Sequence, residues 1–192
     1  AHGLVASSIG YFVPAENATV WRGPMASKAL EQLLRETDWP ELDYLIVDMP
    51  PGTGDIQLTL AQQIPVSAAV IVTTPQDLAV ADASKGISMF NKVSVPVLGL
   101  IENMSLYICP KCGHQEHIFA QNGGVELAKR NNVPLLGQLP LNIKIRQHTD
   151  SGTPLLVSEP EDPLSQTYMQ CALAISKQLY LNGLSDLRIQ NV

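Results

Sequence analysis

Short apolar runs alternate with segments of helical period along the whole chain. "LVASSIGYF" (4–12), "DYLIVDM" (43–49), "AAVIVTT" (68–74), "PVLGLIEN" (96–103) and "PLLGQLP" (134–140) read as strands. Two of these runs open on a Val-Pro pair, Val95-Pro96 and Val133-Pro134, where proline at the first strand position forfeits no ladder hydrogen bond. Between them, residues 24–36 carry Met25, Ala29, Leu33 and Leu34 on one side and Lys28, Glu31, Gln32 and Arg35 on the other, with Pro24 in the first turn. Residues 55–63 and 76–92 also read as helices, the second interrupted by Gly86, and another starts near Asn122-Gly123-Gly124 and runs through "VELAKRNN". The last helix, 163–181, is apolar at Tyr168, Cys171, Ala172, Ile175, Leu179 and Tyr180 and is expected to pack along a sheet. The Pro- and Gly-rich stretch 151–163 before it reads as a surface connection. Alternation of this kind is the signature of βαβ units around a parallel sheet.

With 192 residues and 45% hydrophobic content, the chain suits one sizeable domain, 1–192, with its own core. Twelve Lys and Arg scattered through a chain of net charge -6 argue against nucleic acid or an anionic membrane as the main partner. No apolar run approaches the ~20 residues of a membrane span and no signal peptide is legible, so the expectation is a cytoplasmic protein. The opening "AHGL" lacks an initiator Met, which suggests that the sequence starts inside a longer protein.

Three features carry chemistry. In "YLIVDMPPGTGD" (44–55) a strand ends on Asp48 and a turn follows through Pro50, Pro51 and Gly52. A strand-end carboxylate suits a Walker B role, holding Mg²⁺ through water, and Gly52 lets a backbone N–H approach a terminal phosphate. The plainer alternative is a turn acceptor beside a stiff turn. The loop that would cradle the phosphates is missing: no G-x-x-x-x-G-K-[ST] occurs, since "GPMASK" lacks the second glycine and "SKGIS" puts its Lys first.

Second, "NMSLYICPKCGHQEH" (103–117) contains a C-P-x-C-G knuckle, Cys109 and Cys112, inside a loop expected over 104–122. Two thiolates on one tight turn suit adjacent positions on one metal centre, and a tetrahedral zinc ion or iron-sulfur cluster takes four ligands. His114 and His117, Cys171, or a second copy of the pair compete to complete the set. The histidines follow so closely that closing four ligands on one ion would strain the loop, and Cys171 occupies an apolar helix position that suits a small core residue. A second copy of the chain is the favoured completion. Third, Asn103 ends a buried strand, where its amide could read an adenine edge or form a turn.

"WRGPMASKAL", "DYLIVDMPPGTGDIQLTLAQ", "VTTPQDLAVADASKGISMF", "GLIENMS" with "CPKCGH", and "LLGQLPL" together resemble the C-terminal two thirds of the ATPase domain of the Mrp/ApbC iron-sulfur cluster carriers, deviant-Walker P-loop ATPases related to MinD. The likeness runs from Ala1 to about Pro160 and weakens in the last helix. It implies an α/β, P-loop NTPase-like fold: a mostly parallel sheet flanked by helices, lacking the N-terminal P-loop βα unit. The implied function is ATP-dependent carriage of a [4Fe-4S] cluster between the cysteine pairs of a homodimer, with transfer to apo iron-sulfur proteins. On this resemblance Cys109 and Cys112 are cluster ligands and Asp48 is the Walker B aspartate. Pro50 to Gly52 form the switch II turn, Asn103 contacts adenine, and the backbone around Leu139-Pro140 lines it. The family's P-loop, signature lysine and switch I aspartate are expected upstream of Ala1. A zinc-knuckle docking scaffold and a MinD-like partitioning ATPase are the competing readings; the latter is disfavoured because the last helix lacks a basic face.

Overall fold

The computed structural model describes residues 2–12, 23–49, 52, 54, 57, 58, 61, 62 and 66–183. They fall into two compact units, Ala1–Pro65 and Val66–Val192.

In the first unit, a 3₁₀ turn at Ile9–Tyr11 is capped by Ser8, whose Oγ accepts the Gly10 N–H at 3.2 Å. Helix α1 spans Gly23–Arg35, and the Trp39 indole N–H closes its end by donating to the Leu34 carbonyl at 3.0 Å. Met25, expected on the apolar side of α1, is exposed. Two of the expected strands, 4–12 and 43–49, are corrected here: neither carries a ladder among the described residues. An apolar run becomes a strand only where a neighbour takes its N–H and C=O groups. Along 44–49 burial does alternate with period two, Tyr44 and Ile46 outward and Leu45 and Val47 half-buried, so the predicted alternation is present without the pairing. Of the expected helix 55–63, residues 57, 58, 61 and 62 are helical and the rest lies outside the described residues.

The second unit is an α/β layer structure. Strand β1 (Ala69–Thr73) leads through helix α2 (Asp77–Lys92) to β2 (Val97–Ile108). A two-residue strand β3 (Gln115–Glu116), helix α3 (Gly123–Asn131) and β4 (Leu135–Leu141) follow, then α4 (Ile143–Asp150), the single turn α5 (Leu155–Ser158) and the long α6 (Pro163–Leu181). β2 is central: β1 and β4 flank it in parallel, and β3 pairs antiparallel with its far end. The sheet is thus mixed, and mostly parallel as expected. Pro96 and Pro134 sit just ahead of their strands and contribute only carbonyls, which accept from Ala69 N–H at 2.8 Å and Leu100 N–H at 2.9 Å.

Successive β2 residues face opposite layers. Leu100 packs with Ile71, Val80, Ile87 and Leu127 beneath α2 and α3, while Ile101 packs with Leu136, Leu139 and Cys171 beneath α6. Helices therefore cover both sheet faces, the arrangement parallel strands require. α6 begins where a cap permits: Asp162 accepts the Leu164 N–H at 2.8 Å and Pro163 occupies the first turn. Its packed face is Tyr168, Cys171 and Ile175; Ala172 and Tyr180, expected inward, point outward. Among the described residues no helix is long and apolar enough to cross a membrane.

Candidate functional site

The C-terminal half of β2 organises the site. Asn103 is in register with Leu139, but the next pairing is Tyr107 with Leu141, so β2 spends four residues where β4 spends two. The excess is taken up at Met104, whose φ of +54° lies in the left-handed region. Asn103 Oδ1 accepts the Met104 N–H at 2.9 Å, so the Asn103 side chain forms the turn that starts the bulge. Ser105, buried inside the bulge, donates its hydroxyl to the Leu139 carbonyl at 3.2 Å. Asn103, Leu139 and half-buried Pro140 are thereby brought together on neighbouring strands at the carboxyl end of the sheet, where open α/β sheets bind ligands.

Beside Asn103 stands a group the sequence reading missed. Glu102 is fully buried, and its carboxylate accepts the Gly124 N–H at 2.6 Å and the Gln138 side-chain N–H at 2.7 Å. The amino end of α3, otherwise an anion-binding position, is therefore filled by the protein's own carboxylate. The signal was present: a charged residue inside the apolar run "VLGLIEN", with a Gly-Gly helix start downstream.

After the bulge the chain forms a short hairpin. Tyr107 and Ile108 pair with Glu116 and Gln115, and the knuckle closes between them: Cys109 N–H donates to the His114 carbonyl, and Gly113 N–H to the Cys109 carbonyl, both at 2.9 Å. Gly113 has φ +71°, a turn conformation that a side chain would strain. The backbone N–H groups of Lys111 and then Cys112, with the Cys112 side chain after them, hydrogen-bond to Cys109 and hold its thiol below the ordinary range. Cys109 is half-buried, Cys112 is exposed, and both are free. His117 is fixed elsewhere: its Nδ1 lies 2.8 Å from the Ser105 carbonyl, which only accepts, so Nδ1 carries the proton. Among the described residues no three His, Cys, Asp or Glu side chains are placed to hold one metal ion. The two histidines do not complete a four-ligand set with the cysteines within one chain.

Cys171 is the core residue that its helix position suggested. It is buried on α6, its Sγ sits where a Cβ on Gly137 would be only 2.2 Å away, and burial pushes its thiol up. A lowered Cys109 thiol is deprotonated at lower pH than usual, so Cys109 is expected to alkylate with a midpoint below that of a free thiol. Cys171 is expected to stay unmodified until unfolding. Mass-mapped iodoacetamide labelling over roughly pH 6 to 9 checks both; a Cys109 midpoint at or above the free-thiol value contradicts the hydrogen bonding of the knuckle.

In the first unit Asp48 is exposed at the end of the stretch 44–49. Gly52 is also exposed, with φ +103°, the permissive position expected after two prolines. Pro50 and Pro51 lie outside the described residues.

Known proteins resemble this chain in sequence and in fold. An "Iron-sulfur cluster carrier protein" from Haemophilus influenzae is 60% identical over 183 residues, 95% of this chain and 50% of that protein. The "Iron-sulfur cluster transfer protein NUBPL" of Mus musculus is 48% identical over 178 residues, 93% of this chain and 56% of its own length. The chain spans about half the length of the curated relatives it matches. Among solved structures, a nucleotide-binding protein from Archaeoglobus fulgidus in complex with ADP superposes with a TM-score of 0.62 at 36% identity, covering 72% of this chain and 56% of that one. The cell-division ATPase MinD of Pyrococcus furiosus, at 20% identity, shares the fold with a TM-score of 0.58 over 81% of this chain and 59% of its own. The ParA family profile extends over residues 1–176, a span that includes Asp48, Asn103 and the cysteine knuckle, and the chain belongs to that family, the NUBPL iron-transfer P-loop NTPases.

Proposed function

We propose that this chain is the cysteine-bearing part of an ATP-dependent iron-sulfur cluster carrier. The observation that carries the reading is the knuckle: two free thiols, one held toward its thiolate by backbone N–H groups, with no third ligand placed beside them among the described residues. Thiolates are the ligands of iron-sulfur clusters, and half a tetrahedral set is what a chain needs if it shares its cargo with a second copy. The cargo is a [4Fe-4S] cluster held by Cys109 and Cys112 of each of two copies. Release to an apo iron-sulfur protein is ligand exchange: each cysteine–iron bond breaks as a recipient thiolate forms its own, with no net oxidation.

The nucleotide side of the reading rests on Asp48, an exposed carboxylate that would hold Mg²⁺ through water, and on Gly52, whose backbone would approach a terminal phosphate. Asn103, with the backbone of Leu139 and Pro140, forms the base-reading edge. ATP hydrolysis by the whole protein would need a phosphate loop that this sequence does not contain.

Anaerobic reconstitution with iron and sulfide, followed by sizing chromatography with metal and sulfide assayed across the peak, tests the reading. About four iron and four sulfide per dimer are expected, and none of either in a Cys109→Ser, Cys112→Ser double variant. Zinc bound by monomers, or a native fold that takes up no iron, overturns it.

A further inference from the structure

The cysteine hairpin is weakly built. β3 is two residues long and exposed throughout, and a two-pair ladder does not hold itself in water. β2 lends it little rigidity, because after the bulge that follows Asn103 the ladder with β4 resumes at one pair only, Tyr107 with Leu141. The returning side of the arm is tied down by a side chain just after β3: His117 donates from Nδ1 to the Ser105 carbonyl at 2.8 Å. Ser105 is itself anchored, buried in the bulge with its hydroxyl donated to the Leu139 carbonyl at 3.2 Å. A continuous relay, His117 to Ser105 to Leu139, therefore runs from the arm through the bulge to β4.

We propose that His117 is not a metal ligand but the positioning residue of the cysteine pair, fixing the hairpin on the sheet with Ser105 as its anchor. The inference rests on the carrier reading for its purpose: two pairs that share one cargo must meet at a set angle, and a swinging arm loses its cargo to competing ligands. Its structural content stands apart from that reading.

The first test therefore needs no metal. Amide hydrogen exchange is followed in the full metal-free chain for wild type, His117→Phe, which keeps a ring without a donor, and His117→Asn, whose side-chain N–H can take the place of Nδ1. His117→Phe is expected to speed exchange at the Cys109 and Gly113 amides by about tenfold, the weight of one hydrogen bond, while His117→Asn restores wild-type rates. The β1 amides and the thermal midpoint should not move. Equal rates in wild type and His117→Phe overturn the proposal whether or not the chain binds iron.

The second test uses chain reconstituted with iron and sulfide and a ferrous chelator. All three proteins are expected to load with the same absorption spectrum, and His117→Phe to lose iron about tenfold faster. A changed spectrum in His117→Asn would make His117 a ligand and end the positioning role. Failure of wild type to load would count against the carrier reading alone, since the exchange result decides the hairpin.

Discussion

Replacing Glu102 with alanine is expected to lower the unfolding free energy by about 2 kcal/mol, chiefly because the buried Gly124 N–H loses its acceptor and the space of the side chain is left empty. Glu102 is 0% exposed; its Oε2 takes the Gly124 N–H and its Oε1 the Gln138 amide. The orphaned Gly124 N–H costs about 1–3 kcal/mol and the space left by the side chain adds to that, while the amide of Gln138, an exposed residue, can turn to water. Against this stands the cost of burying a carboxylate whose polar contacts are a backbone amide and a neutral side chain, which alanine relieves. Geometry decides that the loss dominates. Gly123 and Gly124 bring α3 so close that an added Cβ would meet the Pro75 carbonyl at 2.2 Å and Glu102 at 3.0 Å, so the Gly124 N–H is held among packed atoms at the carboxylate. Glu102→Gln should cost only about 1 kcal/mol, since its amide oxygen can still take the Gly124 N–H and Gln138 can turn to present an oxygen. Urea denaturation should place Glu102→Ala about 1 M or more below wild type at unchanged slope, with Glu102→Gln between them. If Glu102→Gln, or an isosteric apolar variant, proves more stable than wild type, the buried charge is a net burden and the clasp is not what seats α3.

The same strand shows how far the sequence could be read. Its apolar run ends legibly at Asn103 because an apolar run and a Val-Pro start are local signals; an apolar run likewise marks β1, a Val-Pro start β4, and apolar positions at helical spacing α6. The prolongation of β2 to Ile108 was not legible. It depends on a bulge that absorbs two residues, and the bulge depends on Met104 adopting a conformation more usual for glycine or asparagine. The knuckle was legible because Cys-Pro-Lys-Cys-Gly closes on itself through its own backbone. What each histidine does was not, because the partner of His117 is Ser105, twelve residues away and met only after the hairpin has folded. Glu102 was passed over for a related reason. Its two partners lie 22 and 36 residues away in sequence, so nothing local distinguishes a buried clasp from a charge at a strand end. The runs 4–12 and 43–49 failed in the opposite direction: their composition satisfies the strand pattern, and pairing, which no single segment encodes, is absent among the described residues.

Gly137→Ala is expected to destabilise the second unit by about 2–3 kcal/mol, and Cys171 should decide how much of that is recovered. An added Cβ at position 137 would sit 2.2 Å from Cys171 Sγ and 3.7 Å from its Cβ, so the clash is with the thiol and not with the backbone of α6. The thiol is buried among Ile101, Leu136 and Leu139, which restricts its escape to another rotamer and makes the helix shift instead. Cys171→Ala alone removes one buried sulfur and should cost about 1 kcal/mol, a small cavity against a β4 that still carries glycine. Combined with Gly137→Ala, the new methyl group takes up the space the sulfur leaves, so the double variant should be more stable than Gly137→Ala alone. The coupling in the double-mutant cycle is expected at about 2 kcal/mol, near the upper part of the range for residues in contact. Additive effects would mean that the strain lies in the β4 backbone. Uptake of iron unchanged by Cys171→Ala would separate this thiol from the pair on the hairpin, because a buried core sulfur supplies packing and not a ligand.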